Sequence, residues 1–421
     1  MNFQIHRGTN EIGGSCVEVW TASTRLVLDL GLPLVNPDGS KFKSTVDNTA
    51  LLPDIKGLYD GSGNIAVLIS HAHQDHYGLL DFVHASCDIY CGAVTQKLIE
   101  LTNLFTGKDW KIARPHYFAS GKPFTIGDIE VTPYLMDHSA YDAYAFLIKA
   151  DGKSLFYSGD FRSHGRKAKA FYWLKHNVMK NVDYLLLEGT TINSSSHISI
   201  TEQDIEEQFV KMFKSSDGIN LIYTSGQNID RIVSIFRACR RSDKIMAMDF
   251  YIATILKAIE SSSIPHPSDS FHEIKVFYPR NLSDRMNKLG HLELLYQFKK
   301  YKIKKEEIDL NYKNIVMLVR PTMKRDLERI SSLSAGNFIY SLWSGYKKDP
   351  KTSNFIKYLQ ARGMNITDLH TSGHADLGTL KELVKAIQPK NLVPIHTFAA
   401  DEYEKIFTDT NVLRLKDGEI V

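Results

Sequence analysis

Between Ser70 and His76 the chain reads Ser-His-Ala-His-Gln-Asp-His, directly after the apolar run Ile65-Ala66-Val67-Leu68-Ile69. A short unbroken apolar run of this kind predicts a buried strand. The loop at its C-terminal end then holds three imidazoles and a carboxylate, where open α/β sheets carry their active sites. Residues 77–86 predict the first turns of a helix. The spacing is that of a metal site: His71 and His73 alternate and can face one metal, while adjacent Asp75 and His76 face a second, as a two-metal hydrolytic centre requires. The competing reading, a histidine-rich surface loop that binds nothing, leaves the strand-end position unexplained.

Further chemistry-bearing residues recur at strand ends. Residues 16–20 and 25–31 predict a hairpin, and Asp29 closes its second strand just ahead of Gly31. Asp29 reads equally as a carboxylate orienting a metal-bound histidine and as a turn cap. His138 follows the predicted strand 129–135, Asp160 follows 154–158, and Glu188 follows 184–187. Near the far end, Ser372-Gly373-His374-Ala375 leads into a helix through Leu380 to Ile387, and the strand 391–395 ends at His396. Histidines at strand ends this late in the chain imply that the C-terminus returns to the first domain.

From about residue 200 the pattern changes. Apolar strands near 221–223, 244–248, 274–277, 315–319 and 338–342 alternate with helical stretches such as 227–240, 251–262 and 323–333, which predicts a parallel sheet with helices packed on it. A chain of 421 residues, 43% hydrophobic and 24% charged, has the length for two domains and the composition of a globular protein. A net charge of +3 singles out no polyanionic partner, so any such footprint must be local. The run Lys299-Lys300-Tyr301-Lys302-Ile303-Lys304-Lys305-Glu306-Glu307 reads as a solvated helix end in preference to an RNA-binding patch. Four cysteines without a C-x-x-C pair point to a reducing compartment, and no run approaches a membrane span. The expectation is a cytoplasmic protein that does not engage membranes.

Taken together these residues resemble the metallo-β-lactamase superfamily, and within it the β-CASP nuclease branch of ribonuclease J and of the endonuclease of cleavage and polyadenylation complexes. Asp29, the loop from His71 to His76, His138 and Asp160 match the four superfamily motifs; Glu188, His374 and His396 match the three of the branch. Residues 224–231, Thr-Ser-Gly-Gln-Asn-Ile-Asp-Arg, resemble the start of the inserted domain in ribonuclease J. The sequence departs from the pattern at Thr397, which replaces a glycine, and at Met248-Asp249-Phe250, which stands where ribonuclease J carries a Gly-Arg-Ser-like string. The additional C-terminal domain of ribonuclease J has no counterpart in it.

The resemblance implies an αββα sandwich over residues 1–200 and 364–421, a β-CASP domain inserted over 201–363, and an active site in the cleft. It implies two zinc ions, one held by His71, His73 and His138, the other by Asp75, His76 and His396, with Asp160 bridging; Asp29 is the candidate for orienting a metal-bound histidine from behind. Asp75 orients the attacking hydroxide, and His374, held by Glu188, protonates the leaving 3′ oxygen or steadies the phosphate; helix capping is the plainer role for His374. Ser372, Gly373 and Arg231 are candidate substrate contacts. The activity implied is hydrolysis of single-stranded RNA, because histidine at the position of His396 accompanies RNA substrates in this branch. The assembly state is open, a homo-oligomer included. The competing functions are a small ester or thioester hydrolase, which needs neither the insertion nor the Glu188–His374 pair, and a non-catalytic RNA-binding scaffold, which would have lost ligands.

Overall fold

The computed structural model describes residues 1–34, 48–193, 200–333 and 336–421. Two sheets form in the first part. One runs in the order β1 (Asn2–Arg7), β2 (Cys16–Trp20), β3 (Arg25–Leu28), β4 (Ile65–Leu68), β5 (Asp88–Cys91) and β6 (Pro115–Tyr117). The hairpin is present as the antiparallel β2–β3 pair, and β3, β4, β5 and β6 then pair in parallel. The other sheet has the order β19 (Asn411–Val412), β18 (Asn391–Ile395), β11 (Tyr184–Glu188), β10 (Lys153–Tyr157), β9 (Tyr144–Ala150), β8 (Ile129–Leu135) and β7 (Phe124–Ile126). The C-terminal return is therefore a strand: β18 pairs in parallel with β11, setting Glu188 beside Ile395 and His396 one residue beyond.

The two sheets face each other across one core, with Val17, Leu28 and Leu68 from the first meeting Phe146, Leu155, Leu186 and Val393 from the second. Alternate residues of the second sheet, Phe156, Leu185 and Leu187, pack outward against helices. Burial on both faces explains why 184–187 reads as one apolar run. Each such leucine contributes about 1.5–3 kcal/mol through burial. Helices α1 (Gln74–Tyr77), α2 (Ala93–Thr106) and α3 (Ala168–Asn177) follow in chain order, of which α1 and α3 matter below. The outer layer on the second sheet is α3 together with the helix Leu377–Ile387. The architecture is the αββα sandwich.

The second compact unit is Ile200–Ser372 with Leu101–Lys108, and the first is Met1–Glu100, Asp109–Ser199 and Gly373–Val421. The expected return at residue 364 is thus corrected to Gly373. Asn365–Asp368 (β17) pairs in parallel with Asn337–Tyr340 (β16), which ties that stretch to the inserted sheet. The sheet is parallel throughout, in the order β14 (Ile274–Phe277), β13 (Ile245–Asp249), β15 (Ile315–Leu318), β12 (Asn220–Tyr223), β16 and β17. Helices α4 (Glu202–Lys214), α5 (Ile229–Arg240) and α6 (Phe250–Ala258) begin it. The helix expected over 323–333 is only Lys324–Leu327, followed by a 3-10 turn at Ser331–Leu333. There the Ser332 amide donates to Asp309 Oδ1 at 2.8 Å, a side-chain partner that competes with the helical ladder.

Candidate metal centre

The helix expected over 77–86 is replaced by the single turn α1 and a 3-10 turn at Leu80–Phe82. Gly78 ends the turn, and Asp75 and His76 lie within it, both buried. The turn packs so closely on the exit from β3 that a Cβ at Gly31 would stand 1.7 Å from the Asp75 carbonyl oxygen. Asp29, two residues earlier, and His396 both take left-handed backbone, with φ of 57° and 53°. Left-handed backbone at a non-glycine residue costs of order 1–3 kcal/mol, and such strain concentrates at functional sites.

Three imidazoles converge first. His71 Nε2 is 3.1 Å and His138 Nε2 3.3 Å from His73 Nδ1. The far side of two rings is fixed: His138 Nδ1 donates to the Gly373 carbonyl at 2.6 Å, and His71 Nδ1 meets Ser70 Oγ at 3.0 Å. Burial, reinforced by neighbouring histidines, holds His71 and His138 well below the usual imidazole range. Neutral imidazole is the form that binds metals.

Asp75, His76, Asp160 and His396 form the adjoining cluster. His76 Nε2 is 3.0 Å from Asp160 Oδ2, and His396 Nε2 is 3.5 Å from Asp75 Oδ2. Behind His76, Nδ1 lies 2.7 Å from Asp29 Oδ2, which also accepts from Tyr157 and Ser70 hydroxyls at 2.7 Å each. Burial opposes ionisation of Asp160, but His396, His76 and His374 together hold its carboxyl well below the usual range. Its Oδ1 is buried with no hydrogen-bond partner among the described residues. An unpartnered carboxylate oxygen beside two clusters of imidazole and carboxylate donors fits zinc.

Glu188 is 1% exposed and serves several partners. Its Oε1 accepts from the amides of Phe161 and Ala375 at 3.3 Å each, and its Oε2 lies 3.3 Å from His374 Nδ1. Burial alone would lower the His374 pKa, but Glu188 and then Asp160 push it up to about 9. His374 and His73 are half-buried, while the other histidines of the three clusters are buried.

The substrate-contact candidates fare differently. Arg231 is fully buried, bound to both Glu202 oxygens at 3.1 and 2.9 Å, and it also donates to the carbonyls of Leu369 and Thr371. Its guanidinium is spent inside the second unit, so the expected substrate contact is corrected to a structural role. The Gly373 carbonyl is engaged by His138, and Ser372 is half-buried in the second unit. Residues not anticipated are Ser70, Tyr157, Thr190 and Gly13. The Thr190 hydroxyl lies 2.9 Å from His396 Nδ1, and the Gly13 amide donates to His396 Nε2 at 3.0 Å. Thr190 stands two residues after Glu188 in the motif; Tyr157 and Gly13 carry no linear signal.

Residues 48–224 match the model described as "Beta-lactamase superfamily domain", and residues 361–401 match "Zn-dependent metallo-hydrolase RNA specificity domain". The chain is similar to "Ribonuclease J" of Helicobacter pylori (strain B128), at 24% identity over 92% of this chain and 55% of that protein. It is similar to "Ribonuclease J" of Mycoplasma genitalium at 22% identity, over 92% of this chain and 66% of that one. The chain thus spans little more than half the length of the first of these relatives. A crystal structure of a protein of unknown function from Enterococcus faecalis V583 shares the fold, with TM-score 0.79 and 20% identity over 100% of this chain and 99% of that one. The sandwich and its clustered histidines and aspartates define a metallo-hydrolase fold with an inserted domain. Residues 48–224 thus carry the signature of a β-lactamase superfamily domain, and the chain as a whole is similar to ribonuclease J proteins.

Proposed function

We propose that this protein is a zinc-dependent ribonuclease acting on single-stranded RNA. The observation that carries the reading is the pairing of His374 with Glu188 at 3.3 Å beside a complete set of metal-type ligands. A small-ester hydrolase needs no such pair. His71, His73 and His138 would hold one zinc and Asp75, His76 and His396 the other, with Asp160 shared. When bound, the metals lower the pKa of water from ~15.7 toward ~7 and so supply a nucleophile at neutral pH.

The chain's own groups manage the protons. Hydrolysis forms a new phosphorus–oxygen bond from water and breaks the bond to the 3′ oxygen. Asp75 takes the proton from the attacking water. His374 delivers a proton to the departing 3′ oxygen, and Glu188 keeps the ring oriented and charged. Asp29 holds His76 in one tautomer and orientation. Four free buried thiols, Cys16, Cys87, Cys91 and Cys239, fit a cytoplasmic setting.

Incubation with end-labelled single-stranded RNA, matched DNA and a chromogenic ester, alongside elemental analysis, tests this. RNA cleavage with about two zinc ions per chain is the expected result. Cleavage of the ester but not of RNA would overturn it, and so would cutting DNA as fast as RNA. Among the described residues no helix is long and apolar enough to cross a membrane.

A further inference from the structure

Residues 161–182, immediately after Asp160, carry lysines and arginines but no aspartate or glutamate. This stretch contains α3, which buries Phe171 and Leu174 against the second sheet. Positions 169, 172, 173, 176 and 177 share the opposite face at helical spacing, and all five are exposed. They are Lys169, Tyr172, Trp173, His176 and Asn177. Tyr172 is 64% and Trp173 45% exposed. An outward helix face is ordinarily polar, and a single exposed aromatic needs no explanation. Two adjacent large rings at this exposure, among cations, are a different composition.

The rings are held in place. Tyr172 stacks at a tilt on His176, with centroids 4.5 Å apart, and His176 Nδ1 is fixed on the Tyr172 carbonyl at 2.8 Å. Trp173 lies against Gly121, where an added Cβ would come within 3.2 Å of its ring, and exposed Lys122 is next in the chain. Exposed Lys180 continues the stripe past the helix end. The charges are not all available: Glu382 neutralises Lys175, and Arg162 faces Asp137 in the interior. Lys169, Lys122 and Lys180 remain on the surface. At its start the helix reaches the metal centre, for Lys167 Nζ donates to the carbonyl of His138 at 2.9 Å. Ten residues of helix extend about 15 Å from that point.

We infer that the outward face of α3, with Lys122, is a track for single-stranded RNA leading away from the metal centre. Bases stack on Tyr172 and Trp173, and phosphates pair with Lys169, Lys122 and Lys180. Aromatic rings interleaved with cations are how single strands are gripped without sequence preference. Charge complementarity selects a polyanion over an apolar protein partner. This inference rests on the reading of the protein as an RNA-cleaving enzyme.

The test is fluorescence anisotropy with a labelled single-stranded oligoadenylate, made with cleavage-resistant phosphorothioate linkages and long enough to lie along α3. Tyr172→Ala/Trp173→Ala, which removes two stacked bases, should weaken binding by roughly 30-fold or more. Lys169→Gln/Lys180→Gln should flatten the slope of log affinity against log salt by about 0.7 per lysine removed. All four side chains are exposed, and unchanged thermal melting of each variant shows that folding is intact. If the wild-type protein cuts RNA while both variants bind it as tightly as wild type, the track is refuted and the ribonuclease reading stands. If wild type neither binds nor cuts RNA, both fall. Unaltered RNA affinity in the aromatic variant, with self-association lost in sedimentation, would assign the face to a protein contact instead.

Discussion

The Thr190 hydroxyl and Nδ1 of His396 lie 2.9 Å apart although 206 residues separate them in the chain. The Gly13 amide donates to the other ring nitrogen, Nε2, which must therefore carry the lone pair. The proton then sits on Nδ1 and is given to Thr190, whose own hydroxyl points to the His396 carbonyl at 3.3 Å. Gly13 thus sets the tautomer of a candidate ligand, and Thr190 holds both its ring and its strained backbone.

Thr190→Val should accordingly leave the fold intact and weaken zinc binding by roughly 10- to 100-fold, the usual effect of losing the partner behind a ligating histidine. Titration against a competing chelator measures this. Thr190→Ser, which keeps the hydroxyl, should bind zinc nearly as wild type does. Zinc binding lost by Thr190→Ser but kept by Thr190→Val would show that the methyl group, not the hydrogen bond, matters.

A second clamp sits behind His76. Asp29 accepts from the Tyr157 hydroxyl at 2.7 Å, with both residues buried. Tyr157→Phe removes one bond to a charged acceptor and should cost about 1.5–3 kcal/mol of stability. Asp29→Ala should cost more, since it strands Tyr157, Ser70 and His76 together, and it should also reduce zinc content. Urea unfolding and metal analysis on both proteins check the order; a Tyr157→Phe that loses zinc as severely as Asp29→Ala would contradict it.

Much of this site could be read along the chain because its donors sit at strand ends and strand ends punctuate apolar runs. His71 to His76, His138, Asp160, Glu188 and His396 all follow such runs, and the structure brings them together. What could not be read is tertiary. Tyr157 looks like any core aromatic until β10 places it against Asp29, 128 residues earlier in the chain. Arg231 misled for the converse reason. A charged residue near a helix start invites a ligand, but its partner Glu202 lies 29 residues upstream, in a pair only the packing of α4 on α5 creates. The return at Gly373 was missed because Asn365–Asp368 is a short, half-exposed edge strand with no apolar signature.

Zinc should stabilise the protein as well as activate it. Asp75 and Asp160 are buried beside one another's partners, and His71, His73 and His138 crowd their nitrogens together, so cations relieve both clusters. A metal that binds only the folded chain, at 1,000 times its Kd, adds about 4 kcal/mol. That corresponds to a rise in Tm on the order of 10 °C for a unit of this size. Differential scanning calorimetry after chelation and after zinc is restored should show the shift; coincident melts would argue that the clusters bind no metal.

Away from the metal centre, Glu18 gives a pH dependence of definite sign. It is buried at 3% exposure, with His6 Nε2 at 2.9 Å and Arg25 on its other oxygen. Burial raises its pKa, but the hydrogen bonds from His6 and Arg25 outweigh that, and the carboxyl is held below the usual range. A carboxyl depressed in the folded state stabilises above its unfolded pKa of ~4.3 and loses that contribution as pH falls through the folded value. Glu18→Gln should therefore be less stable than wild type at neutral pH, with the gap closing in acid below about pH 4. Urea midpoints of the chelated proteins across that range decide it, and a gap that widens in acid would have the wrong sign.

His374 separates the three roles open to it. As a zinc ligand, its loss would deplete metal. As a helix cap it would cost about 1 kcal/mol of stability and spare catalysis. As the proton donor held by Glu188, it should do neither: His374→Ala keeps its zinc and binds RNA, yet the chemical step slows roughly 10²–10⁴-fold. Glu188 orients the ring but does not transfer the proton, so Glu188→Gln should slow the same step less. Because Glu188 also ties the amides of Phe161 and Ala375, the glutamine is the fair replacement, and Glu188→Ala would confound the reading with unfolding. The double variant His374→Ala/Glu188→Gln should be no slower than His374→Ala alone, as for groups that act as a unit. Single-turnover cleavage by all three proteins, with zinc measured in each, decides among the roles. Losses that multiply would separate the two residues, and a zinc-depleted His374→Ala would place that histidine among the ligands.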